Sequence, residues 1–275
     1  MWSRNKANLY IRDAFNDFHY DPKALPSPIA QRKIYRNKLI LTHLVGFGGG
    51  VEVEVGEQPP CYSFDGLGDY LSIPDHADWD FSTGNWTLEC FANIKANDER
   101  ASLITVDGYA TGIQWNYNGV SARLNTYIVG TEYTFAFTPT NNTWHHFALV
   151  RNGNDLLCFA DGVQKGSTED ITGLDLTGLS NGVRIGSIFY PIDLWDMDGR
   201  VDEVRISNTA RYTSGFTPTN SPFSSDANTK VLIHCSEAKS GTTGSGATFT
   251  DSGNTGHTIT EIGNAIQDDV FGKFT

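Results

Sequence analysis

The sequence predicts an all-β protein, an antiparallel jelly-roll β-sandwich that carries an extended N-terminal arm. Short β-rich runs recur along the chain, turn-forming residues separate them, and long stretches of helix-forming residues are few. The 275 residues include 28 glycines and 10 prolines, and aromatic residues make up 12% of the chain. Such a composition supplies both the turns and the core of a sandwich with many short strands.

The arm is the first predicted segment and covers residues 1–56. Its run LYIRDAFNDF has apolar residues at the spacing of a short amphipathic helix. KLILTHLV and VEVEV follow as candidate strands, with the flexible GFGGG between them. GEQPP then marks the boundary to a sandwich over residues 57–222. Residues 223–275 are predicted to add strands to that sandwich or to a neighbouring subunit.

The strand pattern becomes regular from Cys61 onward. Strands are predicted at CYSF, YLSI, WTLECFANI, ASLITV, TGIQWNY, VSARLNTYI, TEYTFAF, WHHFALV, DLLCFA, GVRIGSI, GRVDEVRIS, TKVLIH, ATFT, HTITEI and DVFGKF. Because side chains alternate along a strand, WTLECFANI presents Trp86 and Cys90 on one face and Glu89 and Phe91 on the other. The turn RNGN joins WHHFALV to DLLCFA as a hairpin, and NTARYTSG is predicted to form a short helical turn.

The charge is negative overall and unevenly distributed. A net charge of −12 argues against a nucleic-acid binder, which needs a basic face. Residues 1–45 carry eight Lys or Arg against three Asp, a balance of +5 that leaves −17 to the rest of the chain. A basic arm on an acidic body indicates either docking onto an acidic partner or a solvated tail. The longest apolar run, LILTHLVGF, is too short to span a bilayer, and MWSRNKANLY lacks the apolar core of a secretory signal.

Histidine and cysteine patterns predict structural roles rather than a metal centre. His145 and His146 are adjacent in a predicted strand, so they point to opposite faces and do not easily share one ion. The four cysteines lack metal-ligand spacing such as CxxC. Cys90 and Cys158 lie in apolar strands, where a buried free thiol is the commonest state. A disulfide between them is the alternative.

The carboxylates do not form a recognisable catalytic pair. Retaining glycosidases need two carboxyl groups about 5 Å apart. Glu52 and Glu54 share a strand face but precede the sandwich, and the neighbours Asp202 and Glu203 are expected to face opposite ways. H-E-x-x-H and phosphate-binding loops are also missing from the sequence. We therefore predict that the protein is not an enzyme.

One acidic loop is a candidate calcium site. PIDLWDMDG places Asp193, Asp196 and Asp198 in one loop, and carboxylate oxygens are the ligands that Ca²⁺ prefers. The spacing does not fit the helix–loop–helix calcium motif. A solvated acidic turn, in which the Asp side chains cap backbone amides, is the alternative.

Four aromatic residues are candidates for ligand binding. Trp115, Tyr117, Tyr190 and Trp195 lie in or beside predicted loops, where aromatic faces next to polar groups can stack on a sugar. Aromatic residues in such places also form subunit contacts or belong to the core. Both alternatives stay open from the sequence.

Several blocks together resemble the laminin-G-like and pentraxin-like members of the concanavalin A-like lectin/glucanase superfamily. They are SFDGLGDYLSIPDHADWDF, GNWTLECFANI, TWHHFALVRNGNDLLCFADGVQKGS and VRIGSIFYPIDLWDMDGRVDEVRISNTARYTSGF, in the family's order. The resemblance covers residues 61 to about 216. It implies a W-x-H strand start, matched by Trp144 and His146, in which His146 is a structural hydrogen-bonding residue. The E-x-D-x-x-E run of the glucanase branch is absent from this sequence, and pentraxin-like domains often bind calcium in the loop before GRVDEVRI.

A second, narrower resemblance concerns the segment that follows. ARYTSGFTPTNSPFSSDANTKVLIHCSEA is similar to the connector after such domains in tailed-bacteriophage structural proteins. The resemblance implies a virion structural protein, as capsid decoration or a minor capsid protein, bound to other virion proteins through the arm in an oligomeric assembly. A tail or fibre component is the next alternative. A carbohydrate-binding adhesin for host-surface glycan, with or without calcium, is another, and a degenerate glycan hydrolase is the last.

Overall fold

The computed structural model describes residues 31–35, 38–42, 61–95, 100–189, 195–234, 249–263, 265–268 and 273–274. The chain divides into two units, Met1–Gly56 and Glu57–Thr275. In the first unit, β1 (Gln31–Tyr35) and β2 (Lys38–Thr42) pair as an antiparallel hairpin, and β2 lies within the predicted strand KLILTHLV. The predicted helix LYIRDAFNDF and strand VEVEV lie outside the described residues.

The second unit contains two antiparallel sheets. The eight-stranded sheet has the order β12-β11-β10-β5-β14-β3-β17, and β15 pairs with β14 beside this path. Its strands are β3 (Cys61–Asp65), β5 (Trp86–Ile94), β10 (Trp144–Asn152), β11 (Asp155–Ala160), β12 (Val163–Asp170), β14 (Asp198–Ser207), β15 (Thr229–Ile233) and β17 (Ile266–Asp268).

The seven-stranded sheet has the order β16-β4-β13-β6-β7-β8-β9. Its strands are β4 (Tyr70–Ile73), β6 (Arg100–Val106), β7 (Ile113–Asn118), β8 (Arg123–Ile128), β9 (Thr131–Ala136), β13 (Val183–Ile185) and β16 (Thr260–Ile262). A 3-10 turn, Ala77–Trp79, follows β4. Among the described residues, no helix has the length and apolar character that crossing a membrane requires.

The core lies between the sheets and follows from the alternation predicted for β5. Trp86 and Cys90 belong to the main hydrophobic cluster together with Trp115 and Phe147. All nine residues of β5 are buried, including those that point away from this core. A strand buried on both faces requires a further layer over its outer side, and the chain supplies that layer itself. The two antiparallel sheets and the core between them confirm the predicted all-β sandwich.

The outer layer is the segment 208–226, which lies across the eight-stranded sheet. Tyr212 and Phe216 stack with ring centroids 3.7 Å apart and pack against Phe159. Phe223 packs on Phe91 from the outer face of β5, with centroids 5.8 Å apart. The predicted helical turn at NTARYTSG is wrong: the segment is irregular. Its backbone bonds β5 instead, since the Arg211 amide donates to the Thr87 hydroxyl and the Thr209 carbonyl accepts from it.

Strands from the predicted C-terminal segment pair with strands of the same chain. β15 pairs with β14, β16 with β4, and β17 with β3. The sequence missed β12, an edge strand whose residues VQKGSTED are largely exposed and lack an apolar alternation. Edge strands bury little, so they lose the periodic signal that identifies a strand.

Candidate functional site

A polar array covers the face of the seven-stranded sheet that points away from the core. Along β7, the residues Ile113, Trp115 and Tyr117 point into the core, so the residues between them point outward. Cross-strand register places these outward residues opposite polar partners on β8: Gln114 with Tyr127, Asn116 with Asn125, and Asn118 with Arg123.

The array continues onto the neighbouring strands. Ser102 and Thr105 of β6 lie opposite Asn116 and Gln114, and Arg184 of β13 lies opposite Thr105. On the other side, Glu132 of β9 lies opposite Tyr127. The result is a layer of amide, hydroxyl and guanidinium groups five strands wide, buried at its centre, which we call the polar face.

Glu132 organises one end of the polar face. Its Oε1 atom accepts hydrogen bonds from Asn125 Nδ2 at 2.8 Å, from the Tyr127 hydroxyl at 3.0 Å and from Arg123 Nη2 at 3.2 Å. Burial and the neighbouring Glu132 carboxylate raise the pKa of Tyr127 above its ordinary value. Tyr127 is therefore a neutral hydroxyl at physiological pH, and its ring is held in a fixed position.

Aromatic rings line the same end of the face. Tyr127 lies between Tyr109 and Trp195, with centroid separations of 5.2 and 5.8 Å. The Arg100 guanidinium lies over the Trp195 ring at 4.5 Å, and the Trp195 carbonyl accepts a hydrogen bond from the Ser102 amide at 3.2 Å. Tyr109 is 44% exposed. Aromatic surface thus lies directly beside the amides and the carboxylate.

Several polar atoms in the centre of the polar face are buried without a partner. Neither polar atom of the Asn116 side chain has a hydrogen-bond partner in the part of the chain that the structure describes, and the same holds for Asn125 Oδ1, Ser102 Oγ and Thr105 Oγ1. Burying a polar group without a partner costs roughly 1–3 kcal/mol. Native proteins therefore place such groups where water or a ligand can bond them.

The four predicted aromatic residues are not together. Trp115 is fully buried in the core and Tyr117 is 7% exposed in the same cluster, because both point to the inner side of β7. Tyr190 lies outside the described residues, and Trp195 lies on the polar face. A ligand role for these four residues stays a prediction, which the positions of Trp115 and Tyr117 do not favour.

Sequence reasoning missed Tyr109, Tyr127, Asn116 and Glu132. A signal was present, since IQWNYN alternates apolar with amide residues and RLNTYI repeats the alternation in part. Amides on an outward face resemble ordinary surface residues in sequence. Their burial becomes visible only when the neighbouring strands are placed.

The predicted calcium loop is partly described. Asp193 lies outside the described residues. Asp196 Oδ2 accepts a hydrogen bond from the Gly68 amide at 2.9 Å, while its Oδ1 is buried without a hydrogen-bond partner among the described residues. Asp198 forms an ion pair with Lys95. Amide capping matches the alternative named for this loop, and the orphaned Asp196 oxygen fits a hard cation. Calcium binding therefore stays a prediction.

The structural role predicted for His146 is confirmed by a buried network on the eight-stranded sheet. Glu89 is fully buried and accepts hydrogen bonds from His146 Nε2 at 3.1 Å, from Arg205 Nε at 2.8 Å and from the Tyr212 hydroxyl at 2.8 Å. His145 instead contacts Asp161 at 2.6 Å, on the other side of β10. The two histidines therefore have separate structural partners, as the strand alternation predicts.

Cys90 and Cys158 are free, buried thiols. Burial raises the pKa of both, and the Glu89 carboxylate adds to this effect at Cys90. The free-thiol alternative is therefore the one that the structure contains.

The expectation that Asp202 and Glu203 face opposite ways is wrong. β14 has a bulge at this point, with a φ of 52° at Glu203. Asp202 Oδ2 accepts from the Lys273 amide at 3.2 Å, and Glu203 Oε2 accepts from the Phe223 amide at 2.6 Å, so both carboxylates bond segments that pack on the outer side of β5. His234 Nδ1 lies 2.7 Å from the other oxygen of Glu203. These contacts give both carboxylates structural partners.

Comparison with known proteins shows which family this architecture belongs to. Residues 65–214 match the Laminin_G_3 family model of the concanavalin A-like lectin/glucanases superfamily. A protein from Bacteroides ovatus, described as a "putative carbohydrate binding protein", has a similar structure at 15% identity, with a TM-score of 0.58 over 86% of this chain and 69% of that chain.

Two further solved structures are more distant. They are the sialidase module CBM40 of Ruminococcus gnavus bound to sialyllactose (14% sequence identity, TM-score 0.47, 57% of this chain and 95% of that chain) and a pentraxin of Limulus polyphemus (14% identity, TM-score 0.45, 58% of this chain and 80% of that chain). A search of curated proteins gave no match. The family match covers more than half of the sequence, and the protein therefore belongs to the concanavalin A-like lectin/glucanase superfamily.

Proposed function

We propose that the sandwich is a lectin-like module that binds glycan on the polar face and does not cleave it. The observation that carries this proposal is the set of buried, unpartnered polar atoms around Asn116, next to the rings of Tyr127 and Trp195. The Bacteroides ovatus protein shares the fold alone, so the proposal rests on the residues of this chain.

The chemistry of the polar face suits a sugar. A pyranose ring has an apolar C–H surface that stacks on aromatic rings, and its rim carries hydroxyl groups that both donate and accept hydrogen bonds. Asn116 offers a donor and an acceptor, and Gln114, which lies between Thr105 and Tyr127, carries a second carboxamide. Ligand sites commonly combine aromatic surface with a few fixed polar groups in this way.

Glycan-array screening followed by calorimetry tests the proposal. Asn116→Ala removes two potential hydrogen bonds to the ligand, and Trp195→Ala removes the stacking surface; each should weaken binding at least roughly tenfold, since 1.4 kcal/mol corresponds to that factor. Asn152→Ala is the matched control, because it removes the same amide from the eight-stranded sheet. Equal binding by all three variants would contradict the assignment, and release of oligosaccharides would contradict the non-enzymatic role.

Calcium enters the same experiment as a variable. Binding that needs Ca²⁺ and is lost in Asp196→Ala would assign the ion to the loop that contains Asp196 and Asp198. Binding that is unchanged in EDTA and in this variant would remove calcium from the proposal.

We also propose that this module belongs to a virion structural protein of a tailed phage, with capsid decoration ahead of a tail or fibre position. Two observations favour it: the connector-like segment after β14, and the contrast between +5 in residues 1–45 and −17 in the rest. A basic arm suits an acidic partner surface among other virion proteins. Removing residues 1–45 should abolish co-sedimentation with particles and leave the thermal unfolding of the sandwich unchanged. Co-sedimentation that persists would contradict this role.

A further inference from the structure

We propose that His76, Asp78 and His257 form a binding site for a divalent transition-metal ion of the zinc class, separate from the polar face. His76 and Asp78 lie at the 3-10 turn after β4, and His257 lies in the C-terminal loop before β16. The three ligand atoms all lie within 4.8 Å of one another, and among the described residues these side chains are the one group of three that could hold a metal ion.

The distances suit a tetrahedral ion. Asp78 Oδ2 lies 3.3 Å from His76 Nδ1 and 3.1 Å from His257 Nε2. Zinc bonds of 2.0–2.1 Å at tetrahedral angles place neighbouring ligand atoms about 3.3 Å apart. Two of the three edges therefore have the required length, although His76 Nδ1 accepts a hydrogen bond from the Asp78 amide at 3.1 Å, which a zinc bond would replace. The His76 side chain is 46% exposed, so its ring has room to rotate and shorten the third edge.

The His257 ring is held in position by a buried partner. Its centroid lies 4.7 Å from that of Trp79, which is fully buried, and the His257 side chain is 6% exposed. The loop that carries it is fixed by Asp251, whose side chain accepts hydrogen bonds from the His257 amide at 2.8 Å and from the Gly253 amide at 2.7 Å. A ligand held in this way loses little freedom when an ion binds.

Asp78 presents its two oxygens to different neighbours. Oδ1 lies 3.1 Å from Lys230 Nζ, whereas Oδ2 faces both imidazoles and accepts a hydrogen bond from the Thr255 hydroxyl at 2.6 Å. The Lys230 ammonium opposes the charge of a cation at Oδ2. Because of this repulsion, we expect that a variant without the Lys230 charge binds the metal ion more tightly.

The ligand types select among ions. Two imidazoles and one carboxylate suit zinc and related first-row metals, whereas Ca²⁺ takes six to eight oxygen ligands. A bound ion would join the turn after β4 to the C-terminal loop. Because it would bind the folded chain alone, it should also raise the unfolding temperature.

Calorimetric titration of the full-length chain with zinc chloride, after removal of metals with EDTA, tests this site. We expect one zinc ion per chain. His76→Ala and His257→Ala should each weaken binding by more than the roughly 10–100-fold that loss of an outer-shell partner costs. Lys230→Gln should tighten binding, by roughly tenfold.

His145→Ala is the matched control, because His145 forms another His–carboxylate pair, 2.6 Å from Asp161, and should leave zinc binding unchanged. His257→Ala removes a packed ring and can impair folding, so the exposed His76 variant decides the matter alone in that case. A wild-type chain that binds no zinc overturns the proposal, and so does zinc binding that His76→Ala leaves intact. Because none of these variants changes the polar face, failure here leaves the glycan proposal untouched.

Discussion

Replacing Glu89 is the sharpest test of how the outer layer is held on the sandwich. Glu89 is fully buried in the middle of β5, and three donors converge on its carboxylate: Arg205 from β14, His146 from β10 and Tyr212 from the outer layer. Removing one partner from a buried charged network costs about 3–5 kcal/mol, because the opposite charge stays buried without compensation. We expect Glu89→Ala to lower the free energy of unfolding by about that amount.

Urea unfolding measures this effect, with the m-value as a check that both proteins unfold over the same surface. For a domain of this size, the expected loss corresponds to a fall in melting temperature of about 6–20 °C. Glu132→Ala is the matched control, since Glu132 pairs with Arg123 while its side chain is 37% exposed. Exposed pairs contribute about 0–1 kcal/mol. A Glu89 variant no less stable than the Glu132 variant would refute the reasoning.

The pH dependence of the same difference gives a second check. Burial acts to raise the pKa of Glu89, but the hydrogen bond from His146 and the charge of Arg205 hold it below the ordinary value of 4.5. A lowered folded-state pKa stabilises the protein above the ordinary pKa, and the stabilisation is lost as pH falls through the folded-state value. The gap between wild type and Glu89→Ala should therefore be full at neutral pH and shrink below about pH 4.

Three further predictions concern single positions. In urea unfolding, Gly162→Ala should lower the free energy of unfolding by more than Gly153→Ala does. Both glycines have a positive φ, so both substitutions strain the backbone. A Cβ at Gly162 would also lie 1.9 Å from a carbonyl oxygen of the outer layer, whereas a Cβ at Gly153 would have nothing within 4 Å. The hydrogen bonds from Arg211 hold the pKa of Asp226 below its ordinary range, so Asp226→Asn should cost up to about 1 kcal/mol at neutral pH and nothing in acid, as thermal melts across pH would show. Because burial raises the pKa of the Cys158 thiol, an alkylating reagent should label it after denaturation but not in the folded protein, and mass spectrometry of the labelled peptides would detect either outcome.

The central strands could be predicted from the sequence with their observed bounds. WTLECFANI and DLLCFA correspond to Trp86–Ile94 and Asp155–Ala160, because a strand in the middle of a sheet must bury alternate side chains and so has a periodic pattern. The edge strand Val163–Asp170 has one strand neighbour and little burial, so its sequence resembles a loop. Backbone hydrogen bonds to β11 hold this strand in the sheet, and these bonds do not depend on the side chains of the strand.

The candidate site was harder to predict than the fold. Large aromatic residues such as Trp115 were natural candidates, yet a side chain of that size is also the one that gains most from burial. Whether Trp115 or Asn116 faces a ligand depends on which side of β7 meets the other sheet. Alternation of side chains gives every strand two faces. When both faces carry some polar residues, the sequence of one strand does not show which face packs against the other sheet.

The two sheets of the sandwich have different outer faces, and the proposed binding role depends on this difference. Over the eight-stranded sheet, the chain places its own segment 208–226, which satisfies Glu89 through Tyr212 and covers Phe91 with Phe223. Over the seven-stranded sheet, the Asn116 side chain is buried without a hydrogen-bond partner among the described residues. A chain that supplies partners for one buried polar network gains stability there. The polar atoms around Asn116 lower stability unless something else bonds them, so the polar face is where binding of an external ligand would offset a cost that the fold leaves in place.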